Sequence, residues 1–185
     1  MSNPIITPPD FQPTLVGDTL LLRPVREDDW ASLFAAASDP LIWEQHPAKD
    51  RYQEPVFRKF FDAAFSSRMA LSIVDRATGH IIGSSRYHGH DAERSEVEIG
   101  WTFMARSHWG GATNRELKRL MLDHAFTIVD TVIFWVGETN TRSRRAMEKI
   151  GGNQRSGVHF RALAGPDIPH VIFEMRKKDL ETALK

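Results

Sequence analysis

Along the chain, runs whose apolar residues recur at every second position alternate with runs where they recur at every third or fourth. The first pattern predicts strands and the second predicts amphipathic helices. Residues 15–24 read as a strand ended by Pro24. Residues 26–38 read as a helix, with Trp30, Leu33, Phe34 and Ala37 on one face. Glu27, Asp28 and Asp29 sit in its first turn, where the helix dipole favours them, and Asp39-Pro40 stops it. A second helix over 54–66 carries Val56, Phe57, Phe60, Phe61 and Phe65. Residues 69–75 and 81–90 form a hairpin about the turn Ala77-Thr78-Gly79, and 96–104 is the next strand.

The break at Gly110-Gly111 precedes a long helix reaching about Val129, with a stripe of Leu117, Leu120, Met121, Ala125 and Ile128 widened by Leu122 and Phe126. The uniformly apolar run over 131–136 predicts a buried central strand. A short helix over 143–150 closes at Gly151-Gly152, and 154–162 and 168–176 pair as final strands. This order predicts an α/β (α+β) fold, a mixed, mostly antiparallel central sheet of about seven strands with helices on both faces. The four prolines among residues 1–13 mark an extended arm, 14–176 form the domain, and 177–185 form a polar tail.

Composition narrows the function. The 185 residues carry 24 Lys plus Arg against 24 Asp plus Glu. Zero net charge argues against a nucleic-acid-wrapping surface or a polybasic membrane anchor. An apolar fraction of 41% suffices for a packed core. With no cysteine, a disulfide framework, a thiolate nucleophile and a cysteine-ligated zinc site are all excluded. No metal is expected, the pair His88 and His90 lacking an evident third ligand. The first residues resemble no secretory leader, no run approaches about 18 apolar residues, and a cytoplasmic location is expected.

The segment Glu98–Ala125 carries the clearest chemistry. A strand ends, a glycine-bearing loop turns, and a helix begins near Ala112. Backbone N–H groups of such a loop and first turn lack internal partners and converge on one spot, which suits a phosphate or pyrophosphate. Arg106 and Arg115 could add charge-assisted contacts. The motif is neither a GxxxxGK[ST] phosphate loop nor a GxGxxG dinucleotide fingerprint. About thirty residues on follows Asn140…Ser143…Arg145-Ala-Met-Glu148-Lys149-Ile150-Gly151.

Together with Glu98-Ile99-Gly100-Trp101 and Trp109-Gly110-Gly111-Ala112-Thr113-Asn114, this segment resembles the GCN5-related N-acetyltransferases, in particular their ribosomal-protein N-terminal acetyltransferase branch. Leu21-Leu22-Arg23-Pro24…Glu27-Asp28 resembles the family's opening, and the likeness covers about residues 15–176. Ala112, Asn114 and Gly152 stand where the family carries glycine, a small residue and phenylalanine.

The resemblance implies acetyl-CoA as cosubstrate and a primary amine, on a peptide or a small molecule, as acceptor. It implies Glu98 as base with Glu96 second, and Ser143 as acid toward the CoA sulfur. Asn140, Thr102, Phe103, Met104, Arg106, Trp109, Gly110, Gly111, Ala112, Thr113, Asn114 and Ser143 would hold the cosubstrate. Trp43, Tyr87 and Trp101 would line the acceptor pocket. Without a cysteine, transfer passes directly from thioester to amine. An acyl-CoA-binding or sensing domain with little catalysis is the competing reading. Exposed strands near the C-terminus leave a homodimer open.

Overall fold

The computed structural model describes residues 8–110, 112–162 and 166–179. Among the described residues nine strands form one sheet: β1 (Leu15–Val16), β2 (Leu20–Pro24), β3 (Ala70–Asp75), β4 (Ile81–Asp91), β5 (Glu96–Met104), β6 (Thr131–Gly137), β7 (Asn153–Gln154), β8 (His159–Ala162) and β9 (Asp167–Arg176). Their order is β1-β2-β3-β4-β5-β6-β9-β7, with β8 also paired to β9. The two strands beyond the expected seven come from splitting. The first predicted strand breaks at a turn in which Gly17 N–H donates to the Leu20 carbonyl at 2.8 Å. The segment 154–162 breaks around Gly157, whose φ of 89° favours glycine.

Aspartates shape both central hairpins. Asp75 Oδ1 accepts from the N–H groups of Ala77 and Thr78, and Asp91 Oδ1 accepts from Glu93 and Arg94. Such side-chain contacts mimic a backbone turn.

The sheet is covered by α1 (Trp30–Ala37), α2 (Glu54–Ser67), α3 (Thr113–Ala125) and α4 (Thr141–Lys149). The residues placed at the start of the first helix, Glu27–Asp29, form a 3-10 turn instead. On one face Leu117, Met121, Leu122 and Ala125 of α3 and Met147 of α4 pack with Leu22, Ile73, Val97, Ile99 and Phe134. On the other, Leu33, Phe57, Phe61 and Ala64 of α1 and α2 enclose Val25, Ala70 and Phe103. The N-terminal arm, expected merely to be extended, supplies Phe11 to the α3-side core, where its ring lies 5.4 Å from that of Tyr87. Residues 177–179 continue β9 into a helical turn. No described helix is long and apolar enough to cross a membrane.

One pairing positions the site. β5 and β6 are parallel, and their register runs only over Glu96↔Thr131, Val97↔Val132 and Glu98↔Ile133. Beyond it β5 carries a bulge, because Ser84↔Phe103 is followed by Arg86↔Gly100, leaving two residues opposite Ser85. Trp101 in the bulge has φ 50°, which a bulky side chain rarely adopts. The strands separate there, and the space between them is the cleft.

Candidate active site

The cleft is a cavity of about 650 Å³. Its walls are Glu98–Met104 of β5, Phe134–Gly137 of β6, the first turns of α3 and α4, and residues of the α1–α2 connection. The connection is drawn across the end of β6 because Gly137 has no side chain: a Cβ there would lie 2.8 Å from Pro47 Cγ. Gln45 Oε1 accepts from Thr141 Oγ1 and Arg142 N–H, fastening the same segment to α4.

The mouth is cationic. Asn114, Arg115, Arg142, Arg145 and Lys149 line it. The Arg142 guanidinium lies 4.1 Å from the Trp109 ring centroid and donates to the Ile42 carbonyl. Trp109 Nε1 donates to the Met104 carbonyl at 2.9 Å, fixing the loop before α3. Gly110 takes φ 76° at that turn. Ala112, the N-cap of α3, has φ −81° and ψ −26°, so its methyl group sits in ordinary right-handed backbone. Gly111 lies outside the described residues.

Val97 and Ile99 enter the α3-side core, so Glu96 and Glu98 project to the opposite face. There they separate. Glu98 is buried in the cavity wall, and both its oxygens accept from Arg161 of β8 at 2.8 Å. The same guanidinium lies 4.0 Å from the Trp135 ring centroid. Glu96 pairs with Arg155, which also bonds Glu174, and does not line the cavity.

Asn140 Oδ1 accepts from Ser143 N–H at 3.1 Å, making Asn140 the N-cap of α4. Both residues line the cavity, and among the described residues Ser143 Oγ makes no hydrogen bond. Thr102, Phe103 and Met104 are brought there, and Trp43 and Trp101 join the wall. Besides Glu96, four expected residues are not brought to it. Tyr87 is fully buried in the α3-side core and donates to the Met121 carbonyl at 2.7 Å. Arg106 is held by Asp39. Ala112 and Thr113 are not among the lining residues.

Other cavity residues escaped the sequence reading. Lys118 of α3 is 5% exposed, donates to Thr102 Oγ1 at 3.0 Å, and lies 5.1 Å from the Phe134 ring centroid. Burial pushes its ammonium down to about 7. A lysine amid an apolar helical stripe was the available signal. His170 of β9 is buried, and its Nδ1 contacts the Ile168 carbonyl at 2.8 Å. A carbonyl only accepts, so Nδ1 carries the proton and Nε2 is the basic nitrogen. Burial holds this imidazole below its usual range. Arg51, His46 and Arg161 arrive from distant segments and had no local signal.

Compared with known proteins, the chain matches over residues 19–153 the family model described as Acetyltransferase (GNAT) domain. It resembles a GCN5-related N-acetyltransferase structure from Brucella melitensis, with 18% identity, coverage of 93% of this chain and 82% of that one, and a TM-score of 0.81. A GNAT-family acetyltransferase from Bacillus anthracis matches at 18% identity, 90% and 99% coverage and TM-score 0.73. Mycobacterium smegmatis RimJ in complex with CoA-disulfide matches at 23% identity, 87% and 83% coverage and TM-score 0.63. At such identities the structural likenesses speak to the fold.

Proposed function

This chain belongs to the GNAT acetyltransferase family, and from that premise we propose that it transfers an acetyl group directly from acetyl-CoA to a primary amine. The observation that carries the proposal is the early end of the β5–β6 ladder. Beyond Glu98 the β6-facing edge of β5 meets the cavity rather than a neighbouring strand, while its other edge stays paired with β4. A linear ligand bearing amides, such as the pantetheine arm of CoA, suits such an unpaired edge. The N-terminal end of α3 with Arg115, Arg142, Arg145 and Lys149 suits its phosphates.

The chemistry follows from the needs of the step. The acceptor amine loses a proton and attacks the thioester carbon, and the departing sulfur takes a hydrogen bond or a proton. Ser143 Oγ, uncommitted within the described chain, serves the sulfur. Asn140 holds the turn that presents it. Glu98 takes the amine proton, directly or through water. An ionised carboxylate has about four lone-pair sites, and the two bonds from Arg161 leave room for a further donor. His170 Nε2 is a second acceptor in the same cavity, favoured by the tautomer its Nδ1 contact imposes.

The test is thiol release from acetyl-CoA over a panel of amines, with Ser143→Ala and Glu98→Gln beside the wild type. Each variant is expected to lose about 100-fold or more in kcat while keeping a cooperative thermal transition. Acetyl-CoA binding without thiol release from any amine would instead identify a CoA-binding or sensing domain. Wild-type turnover in both variants would overturn the roles given to Ser143 and Glu98.

A further inference from the structure

The α1–α2 connection brings two cationic or donor groups into the cavity wall facing one another. Arg51 is 7% exposed, and among the described residues it has no carboxylate within ion-pair distance. Its guanidinium lies over Phe60 at 4.7 Å and beside Trp43 at 5.6 Å. Burial and the nearby Arg86 push it down to about 10, with the adjoining Asp50 acting in the other direction only through space.

Its single polar neighbour among the described side chains is His46 Nε2, 3.3 Å from Arg51 Nη1. That contact is a conflict. Ala48 N–H donates to His46 Nδ1 at 2.9 Å, so Nδ1 holds the lone pair. Burial pushes the imidazole down to about 3, so the ring is neutral and its one proton is on Nε2. An N–H therefore faces an N–H. A buried donor without an acceptor is unfavourable, and one acceptor placed between the two would satisfy both.

Arg86 is a second buried cation, near enough to act on Arg51 through space; among the described residues no carboxylate bonds it, and Glu98 acts on it only through space. Arg86 is buried and stacks 3.9 Å from the Trp101 ring centroid. Among the described residues its Nε has no hydrogen-bond partner, and its Nη1 reaches only the Ala63 carbonyl at 3.3 Å. Among the described lining residues the one carboxylate, Glu98, is already bonded to Arg161.

We infer that Arg51 and His46 Nε2–H, backed by Arg86, form a carboxylate subsite, and that the acceptor is a small amine that also carries a carboxylate, an amino-acid-like molecule. The inference rests on the acetyl-transfer reading and deepens it. Planar guanidinium and carboxylate meet well, and the subsite supplies the anion that the buried cations lack. A polyamine would bring further positive charge to a wall that already holds Arg51, Lys118 and Arg161.

The test compares amines that differ only in the anion. Amino acids with α-, β- and γ-amines are each set beside their carboxamides, with spermidine and a short N-terminal peptide as controls, in the thiol-release assay. The carboxylate form is expected to exceed its amide in kcat/KM by about 10-fold or more. Arg51→Met is expected to raise KM for the carboxylate by about 100-fold and to leave KM for acetyl-CoA unchanged. His46→Phe, which keeps an aromatic ring but removes the donor, should act in the same direction by about 10-fold, and carries the test if Arg51→Met does not fold.

Titrating the N-acetylated amino acids into the CoA-loaded protein reads the subsite without turnover. Binding that Arg51→Met abolishes supports it even if no amine is acetylated, which separates a failure of the subsite from a failure of acetyl transfer. The inference is overturned if carboxylates do no better than their amides, or if spermidine or the peptide is the preferred acceptor. It is equally overturned if Arg51→Met raises KM for acetyl-CoA instead, which would give Arg51 to a donor phosphate, or if none of the acetylated amino acids binds.

Discussion

Asp29 accepts four hydrogen bonds: two from Arg23, one from Arg26 N–H and one from Ser72 Oγ, at 2.7 to 2.9 Å. It joins the 3-10 turn before α1 to β2 and β3. Burial alone would raise its carboxyl, but the Arg23 guanidinium and the other donors outweigh that and hold it below the usual range. A depressed carboxylate contributes stability that is present above its unfolded value of about 4 and is lost as pH falls toward the folded one. Asp29→Asn is expected to cost about 3 kcal/mol in urea unfolding at pH 7. The deficit relative to wild type should shrink below pH 4. This position shows the limit of the sequence: Asp29 reads as a first-turn acid, which it is, but Ser72 is 43 residues away. Glu98 likewise reads as a cleft carboxylate, while Arg161 comes from 63 residues on. Patterning specifies which face a residue takes; the partner on that face depends on the packed fold.

Among the elements, β5 was legible to the residue, because Val97 and Ile99 alternate with Glu96 and Glu98 and the bounds 96–104 agree with the observed strand. The α3 stripe was equally plain, although its helix ends at Ala125, four residues before the expected end. The α1–α2 connection was not legible. Residues 43–53 have no period, and their form is set by Gly137, Arg142 and Thr141 elsewhere in the chain. Lys118 is the exception within α3. Its folded value of about 7 lies below the ordinary lysine value of 10.5, so between those values the unfolded chain binds more protons. The penalty is complete below pH 7 and eases as pH rises. Wild-type stability is therefore expected to climb between pH 7 and 9, by up to about 1.4 kcal/mol per unit. Lys118→Met should remove that slope and be more stable at pH 7, as measured by denaturant melts across the range.

For the whole molecule, the sheet is two antiparallel halves joined by three parallel rungs between β5 and β6. Both halves line the cleft, so a ligand lying between them adds contacts across this short seam. Acetyl-CoA at about 100 times its Kd should raise global stability by about 2.7 kcal/mol. In hydrogen exchange the largest added protection is expected at residues 100–104 and 134–137, not in the β2–β3 ladder. Uniform protection, or protection confined to the surface, would contradict ligand binding in the seam.

The α3 helix is also tied to the opening turn of the chain. Glu116 accepts from Thr19 N–H and Oγ1 and from Leu20 N–H, and it can do so because residue 17 is glycine: a Cβ there would collide with Glu116 Oε1. In evolutionary terms positions 17 and 116 are one character. A relative with a side chain at 17 must shorten or turn away the acid at 116, and a relative that keeps the glutamate latch keeps the glycine. Two columns almost a hundred residues apart should therefore change together or not at all.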